Sequence, residues 1–215
     1  MKYMPPDFPD MLYDDKVAWM EMNKWIEELA RHYKVQRVTS PVLSEFNLVL
    51  ERNWFSIHNT YRIQFEHLSV NLLGVKYNKP TVKLLNRHGS PIDSSEHIYF
   101  WGYLRLKANY GKILIRPETL TDKIEELFEK VEIDFEEQKE FNWKYFVQAV
   151  NKAECKDILR QKSEFFKVMN KSSGIHLEFN GNSALFTNIK VASRHSLLVI
   201  TSLGLLLDRV LNEKE

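Results

Sequence analysis

Two rhythms of apolar residues divide the chain. In "DDKVAWMEMNKWIEELARHY", residues 14–33, Trp19, Met22, Ile26, Leu29 and Tyr33 recur at alternating steps of three and four, the spacing of one helical face. Trp25 and Met20 sit off that stripe and widen it, so the helix is expected to lie on a sheet. Asp14 or Asp15 is placed to cap it. From Phe46 to Lys107 the period falls to two. "RIQFEHLSVNLL" alternates Ile63, Phe65, Leu68 after a slip, Val70 and Leu72, and "HIYFWGYLRLK" carries Ile98, Phe100 and Tyr103. The slip between Phe65 and Leu68 predicts a β-bulge, since one extra residue reverses the facing. Breaks at "YNKP" and "NRHGSPIDSSE", with Pro80, Gly89 and Pro91, mark turns, and at least four antiparallel strands are expected.

Beyond "NYGK" the rhythm is mixed. "KILIRPETLTDKIEELFEKV" predicts a short strand, Pro117, and a helix sharing Leu120, Ile124, Leu127, Phe128 and Val131 on one face, with Thr119 and Asp122 as a capping box. "EIDF" and "NWKYFVQAV" read as strands, with Phe141, Trp143 and Phe146 on one face and Tyr145 and Val147 on the other. "NKAECKDILRQKSEFFKVM" reads as a helix capped by Asn151 with Glu154 three residues on. A hairpin follows, "IHLEF" and "SALFTNI" about "NGN", where Asn180 and Gly181 are expected to take the positive φ of a tight turn. The apolar run "SLLVITSLGLLL", residues 196–207, is short of a membrane span and closed by Asp208 and Arg209, so it is expected to be a buried C-terminal helix.

The elements predict an α+β fold. An N-terminal helix on an antiparallel sheet occupies residues 1–110, and a smaller αβ section with a hairpin and C-terminal helix occupies residues 111–215. The linker "KANYGK" is short, so the two sections are expected to share one core.

Charge and cysteine usage narrow the setting. Thirty basic and twenty-nine acidic side chains leave a net charge of +1, so any attraction to an anionic partner must come from a local patch. A single cysteine makes no internal disulfide and suits a reducing compartment. The opening "MKYMPPDFPDMLYDD" carries Pro5, Pro6 and Pro9 and lacks the apolar run of a secretory signal, so a cytoplasmic location is expected.

Little in the chain resembles catalytic chemistry. The seven histidines, His32, His58, His67, His88, His97, His176 and His195, include no pair spaced for one metal, and no metal or cofactor is expected. Cys155 reads as a small buried hydrophobe. "HGSPIDSSEH" holds Ser90, Asp93, Ser94, Ser95, Glu96 and His97, yet without a nucleophile elbow it reads as a strand-joining loop. Glycines are too scattered for a phosphate cradle. The aromatic and basic stretches "NWKYF" and "FWGYLRLK" read as core alternation before nucleic-acid platforms. The carboxylates of "EELFEKVEIDFEEQKE" read as a solvated helical face.

The order "EIDF", "EFNWKYFVQA", "AECKDILRQKSEFFKVM", "IHLEFNGNSALFT" and an apolar helix resembles the C-terminal part of a family of uncharacterised prokaryotic proteins. That family is defined as a domain of unknown function, often joined to upstream membrane segments. Its matching positions are Phe141, Asn142, Tyr145, Val147, Ile158 and Leu159, with an echo in "GYLRLKANYGKILIRPE". The resemblance implies a fold order and no activity.

Two functional expectations follow. The first is a non-enzymatic interaction module with a protein partner or a second copy of itself. The alternative is a small-molecule-binding protein or enzyme whose site lies between the two sections, lined by His97, Trp101, Tyr103, Arg105 and Arg116.

Overall fold

The computed structural model describes residues 13–46, 55–77, 97–119 and 132–212. Helix α1 (Tyr13–Leu29) precedes β1 (Lys34–Arg37), β2 (Phe55–Phe65), β3 (Leu68–Tyr77), β4 (His97–Arg105) and β5 (Lys112–Pro117). Then come α2 (Lys139–Lys144), β6 (Tyr145–Ala149), α3 (Lys152–Arg160), α4 (Ser163–Lys171), β7 (His176–Asn180), β8 (Ser183–Val191) and α5 (Arg194–Asn212). The eight strands make one antiparallel sheet in the order β1-β2-β3-β4-β8-β7-β5-β6. The fold is α+β, with α1 on the sheet and a later section closed by the β7–β8 hairpin and α5. Because β4 pairs with β8, placing Tyr103 opposite Leu185, the sheet continues without interruption past residue 110.

The helices cover one sheet face. Trp19, Met22, Ile26 and Leu29 of α1 are buried with Ile63, Val70 and Leu72 of the sheet, which is the face their spacing predicts. Tyr33 lies past the end of the helix and meets Phe65 edge-on, at 5.8 Å between ring centres. The helix already runs from Tyr13, so Asp14 and Asp15 lie inside its first turn and do not precede it. The opposite sheet face carries a smaller cluster of Leu73, Val75, Trp101 and Leu185, packed against Leu43 and Phe46.

Helix α5 is the longest of the described helices and is held at both ends. Near its start Arg194 makes a two-pronged pair with Glu28 of α1. Near its end the Asp208 carboxylate accepts from the Ser69 backbone N–H at 2.7 Å and from Asn212 Nδ2 at 2.6 Å. Asn212 in turn accepts from the Lys107 N–H at 2.7 Å and donates to the Arg105 carbonyl at 3.1 Å. At nineteen residues α5 is long and apolar enough to cross a membrane, and 61% of its most apolar window is buried within the protein.

Several local expectations change. The slip at Phe65–Leu68 is a two-residue hairpin turn and not a bulge: Phe65 pairs with Leu68, and Glu66 takes φ 54° between β2 and β3. The irregularity in that pair of strands falls between Ile57 and Asn59. Tyr103 faces away from Ile98 and Phe100, because position 103 is out of phase with them by one residue. Strand β1 had no alternation to announce it. "EIDF" is not a strand, although the Ile133 N–H donates to the Val147 carbonyl at the margin of β6. The helix expected over 151–169 breaks at Gln161 and Lys162 into α3 and α4. The final hairpin turns on Gly181 and Asn182, one residue later than expected, with Gly181 at φ 58° and Asn180 still paired to Ser183. The expected helix over 120–131, Asp122 of its capping box, and the 88–96 part of the serine-rich loop lie outside the described residues.

The largest correction concerns "FNWKYF". Phe141 and Trp143 sit on the short helix α2, not on a strand, and Trp143 is 75% exposed. Only from Tyr145 does the chain extend, and there Tyr145 and Val147 enter the main core while Phe146 points to the other sheet face. At the head of α3 the expected cap is present: Asn151 Oδ1 accepts from the Glu154 N–H, and the Glu154 carboxylate accepts from Asn151 Nδ2, both at 3.2 Å.

Candidate functional site

The residues suggested for an inter-section site do not converge. Trp101 and Tyr103 lie side by side in facing on β4, with Trp101 buried and the Tyr103 hydroxyl 2.9 Å from Ser183 Oγ. Arg105 follows on the same face at the exposed end of the strand. His97 begins β4 opposite Tyr77. Arg116 shares their sheet face but belongs to β5, and β8 and β7 intervene, about 14 Å of strand spacing. Its guanidinium lies over the Phe146 ring at 4.5 Å from the ring centre.

Cys155 is fully buried in the core under α3. Burial pushes its thiol from the ordinary 9.0 up to about 12, against the opposing pull of Lys156. Burial likewise pushes the hydroxyls of Tyr110 and Tyr145 from 10.0 up to about 12. In each the folded state holds the proton more tightly than the unfolded chain. The corresponding stability is complete below about pH 9 and is lost as pH rises toward 12. The native protein is therefore expected to resist iodoacetamide at about pH 8 while the urea-unfolded chain reacts, and its melting temperature is expected to fall above about pH 9. Native alkylation as fast as that of the unfolded chain would contradict this placement.

A different site emerges where α4 meets α5. On α4 the residues Phe165, Phe166, Val168 and Met169 turn inward, which leaves Glu164, Lys167 and Lys171 in steps of three and four along the outer side. On α5 the core side takes Leu197, Ile200, Gly204 and Leu207, leaving His195, Ser202, Leu206 and Arg209 outward. The two outer rows border a groove of about 420 Å³, completed by Ser172, Ser173, Asn188 and Lys190. Val168, Val199, Leu203 and Leu206 supply its apolar lining, and no Phe, Tyr or Trp borders it among the described residues.

The electrostatics of this groove are one-sided. Among the described residues, Lys167, Lys171, Lys190, Arg209 and His195 face a single carboxylate, Glu164. The hydrogen bond from Lys167, foremost, then the charges of Lys167, Lys171 and Arg209 hold Glu164 below the usual carboxylate range. One acid thus answers several cations in a protein whose overall charge is +1. The arrangement can attract and hold an anion beside a short aliphatic wall. Among the described residues, no group of three or more His, Cys, Asp or Glu is placed to hold a metal ion.

Of the groove residues the sequence marks only His195, as one of seven scattered histidines, and Arg209, as the close of the apolar run, and neither as part of a site. Glu164, Lys167 and Lys171 show a charged helical stripe, but such stripes usually face water. What makes this one a site is the second row on α5, about thirty residues later, and only helix packing brings the two together.

Comparison with family models, curated proteins and solved structures finds no match to this chain.

Proposed function

We propose that this protein is a non-enzymatic interaction module that engages an anionic partner through the groove between α4 and α5. The observation that carries this reading is the convergence of Lys167, Lys171, Lys190 and Arg209 on one concavity with Glu164 as its only carboxylate among the described residues. Lys167 and Lys171 on α4, Lys190 on β8 and Arg209 on α5 rise from backbone positions already fixed by packing, so no segment must order for them to meet a ligand. Hydroxyls of Ser173 and Ser202 border the same space and can donate to oxyanions, while that of Ser172 already donates to the Val168 carbonyl. The small-molecule reading centred on Trp101 and Arg116 has weaker support, because two strands separate them.

The test is a thermal-shift titration with inorganic pyrophosphate in low salt. The native protein is expected to gain stability by RT ln(1 + [L]/Kd), about 2.7 kcal/mol at a hundredfold excess over Kd. The double variant K171E/R209E, altered at exposed positions, is expected to fold normally and lose the shift. An unresponsive native protein, or an equal response in the variant, would overturn the assignment.

A further inference from the structure

Resting on the anion-binding reading, we infer that the partner is the anionic headgroup of a membrane lipid, met at the bilayer surface. The groove bears two features that a fully water-soluble anion leaves unused. Its lining is partly aliphatic, through Val199 and Leu206, and among the described residues its one ring is the His195 imidazole. Exposed apolar side chains also surround it. Leu206 is 39% exposed within the groove, and Leu198 is 40% exposed three residues after His195 on α5.

Exposed leucines interleaved with lysine and arginine fit a surface that enters the headgroup region of an anionic bilayer. The phosphate oxygens meet Lys171, Lys190 and Arg209, and the aliphatic side chains meet the glycerol and upper acyl carbons. In this role α5 stays packed on the sheet and lies against the membrane by its outer row, since its inner row is core.

The experiment is co-sedimentation of the full chain with vesicles of phosphatidylcholine alone and of phosphatidylcholine mixed with phosphatidylglycerol. Pyrophosphate and poly-glutamate are run as soluble anions. Binding to the mixed vesicles only is expected, weakening with salt. A basic residue near such a surface contributes about fivefold in affinity, so K171E/R209E is expected to lose at least about 25-fold. Leu198→Gln, which adds no charge, is expected to weaken vesicle binding while leaving the pyrophosphate thermal shift intact, and that split separates the membrane role from anion binding as such. A pyrophosphate shift without vesicle binding would overturn the lipid inference and spare the groove. Capture by poly-glutamate without vesicle binding would move the partner to an acidic protein. Vesicle binding indifferent to K171E/R209E, with each variant melting like the native protein, would overturn the inference at its root.

Discussion

Phe141→Ala is expected to lower the free energy of unfolding by about 3–5 kcal/mol, the range for emptying a large aromatic site in a core. Phe141 has no exposed surface, and its ring meets those of Phe135, Tyr145, Phe165 and Phe166 at centre distances of 5.9, 5.3, 6.3 and 5.0 Å. These neighbours come from the segment before α2, from β6 and from α4, and their mutual contacts are rigid enough that little collapse into the gap is expected. Next to it, Asn142 fastens the segment: its side chain accepts from the Phe135 N–H at 3.1 Å and donates to the Phe135 carbonyl at 3.0 Å. Tyr145 adds a hydrogen bond to the Ser172 carbonyl at 2.9 Å, tying β6 to the end of α4. Urea denaturation at constant m-value reads the loss directly. Trp143→Ala, on the same helix but exposed, serves as control and is expected to cost under about 0.5 kcal/mol. Equal midpoints for the two variants would refute the central place given to Phe141.

That pair of neighbours shows why the sequence was legible in some places and not in others. Where apolar spacing persisted over several turns, as in Trp19–Leu29 or in the C-terminal run, both the element and its buried face were readable. The Asn151–Glu154 cap was readable because its chemistry is local. The stretch "FNWKYF" was not, because a six-residue helix and a five-residue strand meet inside it. Neither completes enough of its own period to be distinguished. The turn at Glu66 was hidden for another reason. Two central residues without glycine, asparagine or proline give no turn signal, and the alternation on either side resembles one long strand with a slip.

The candidate site was legible only in fragments. Its charged row on α4 and its mixed row on α5 are each ordinary as surface patterns. Their juxtaposition depends on where α5 comes to rest: charged residues tie down its ends, but its height above the sheet is set by uncharged ones.

Those residues support the second large prediction. Gly102→Ala is expected to cost about 3 kcal/mol, the upper end for overpacking a filled interior. A Cβ at position 102 would stand 2.0 Å from Cζ of Phe186 and within 2.6 Å of two more ring atoms. The Phe186 ring therefore occupies the space a side chain on β4 would take. On the helix side, a Cβ at Gly204 would come within 2.5 Å of Val70 Cγ2 and 3.0 Å of the same Phe186 ring. Phe186 is thus clasped between a glycine on the sheet and a glycine on α5, and the helix approaches the sheet as closely as backbone permits. Neither glycine has a positive φ, so the cost is steric and does not arise from backbone strain. Shrinking the ring should then relieve it, and Gly102→Ala combined with Phe186→Leu is expected to lose less than the sum of the single changes. Because α5 carries one wall of the groove, Gly102→Ala is also expected to weaken the pyrophosphate response in the surviving native fraction, at a site no groove residue touches. Strict additivity in the stability cycle would show that Phe186 does not set the helix height, and an unaltered anion response would uncouple the glycine clasp from the groove.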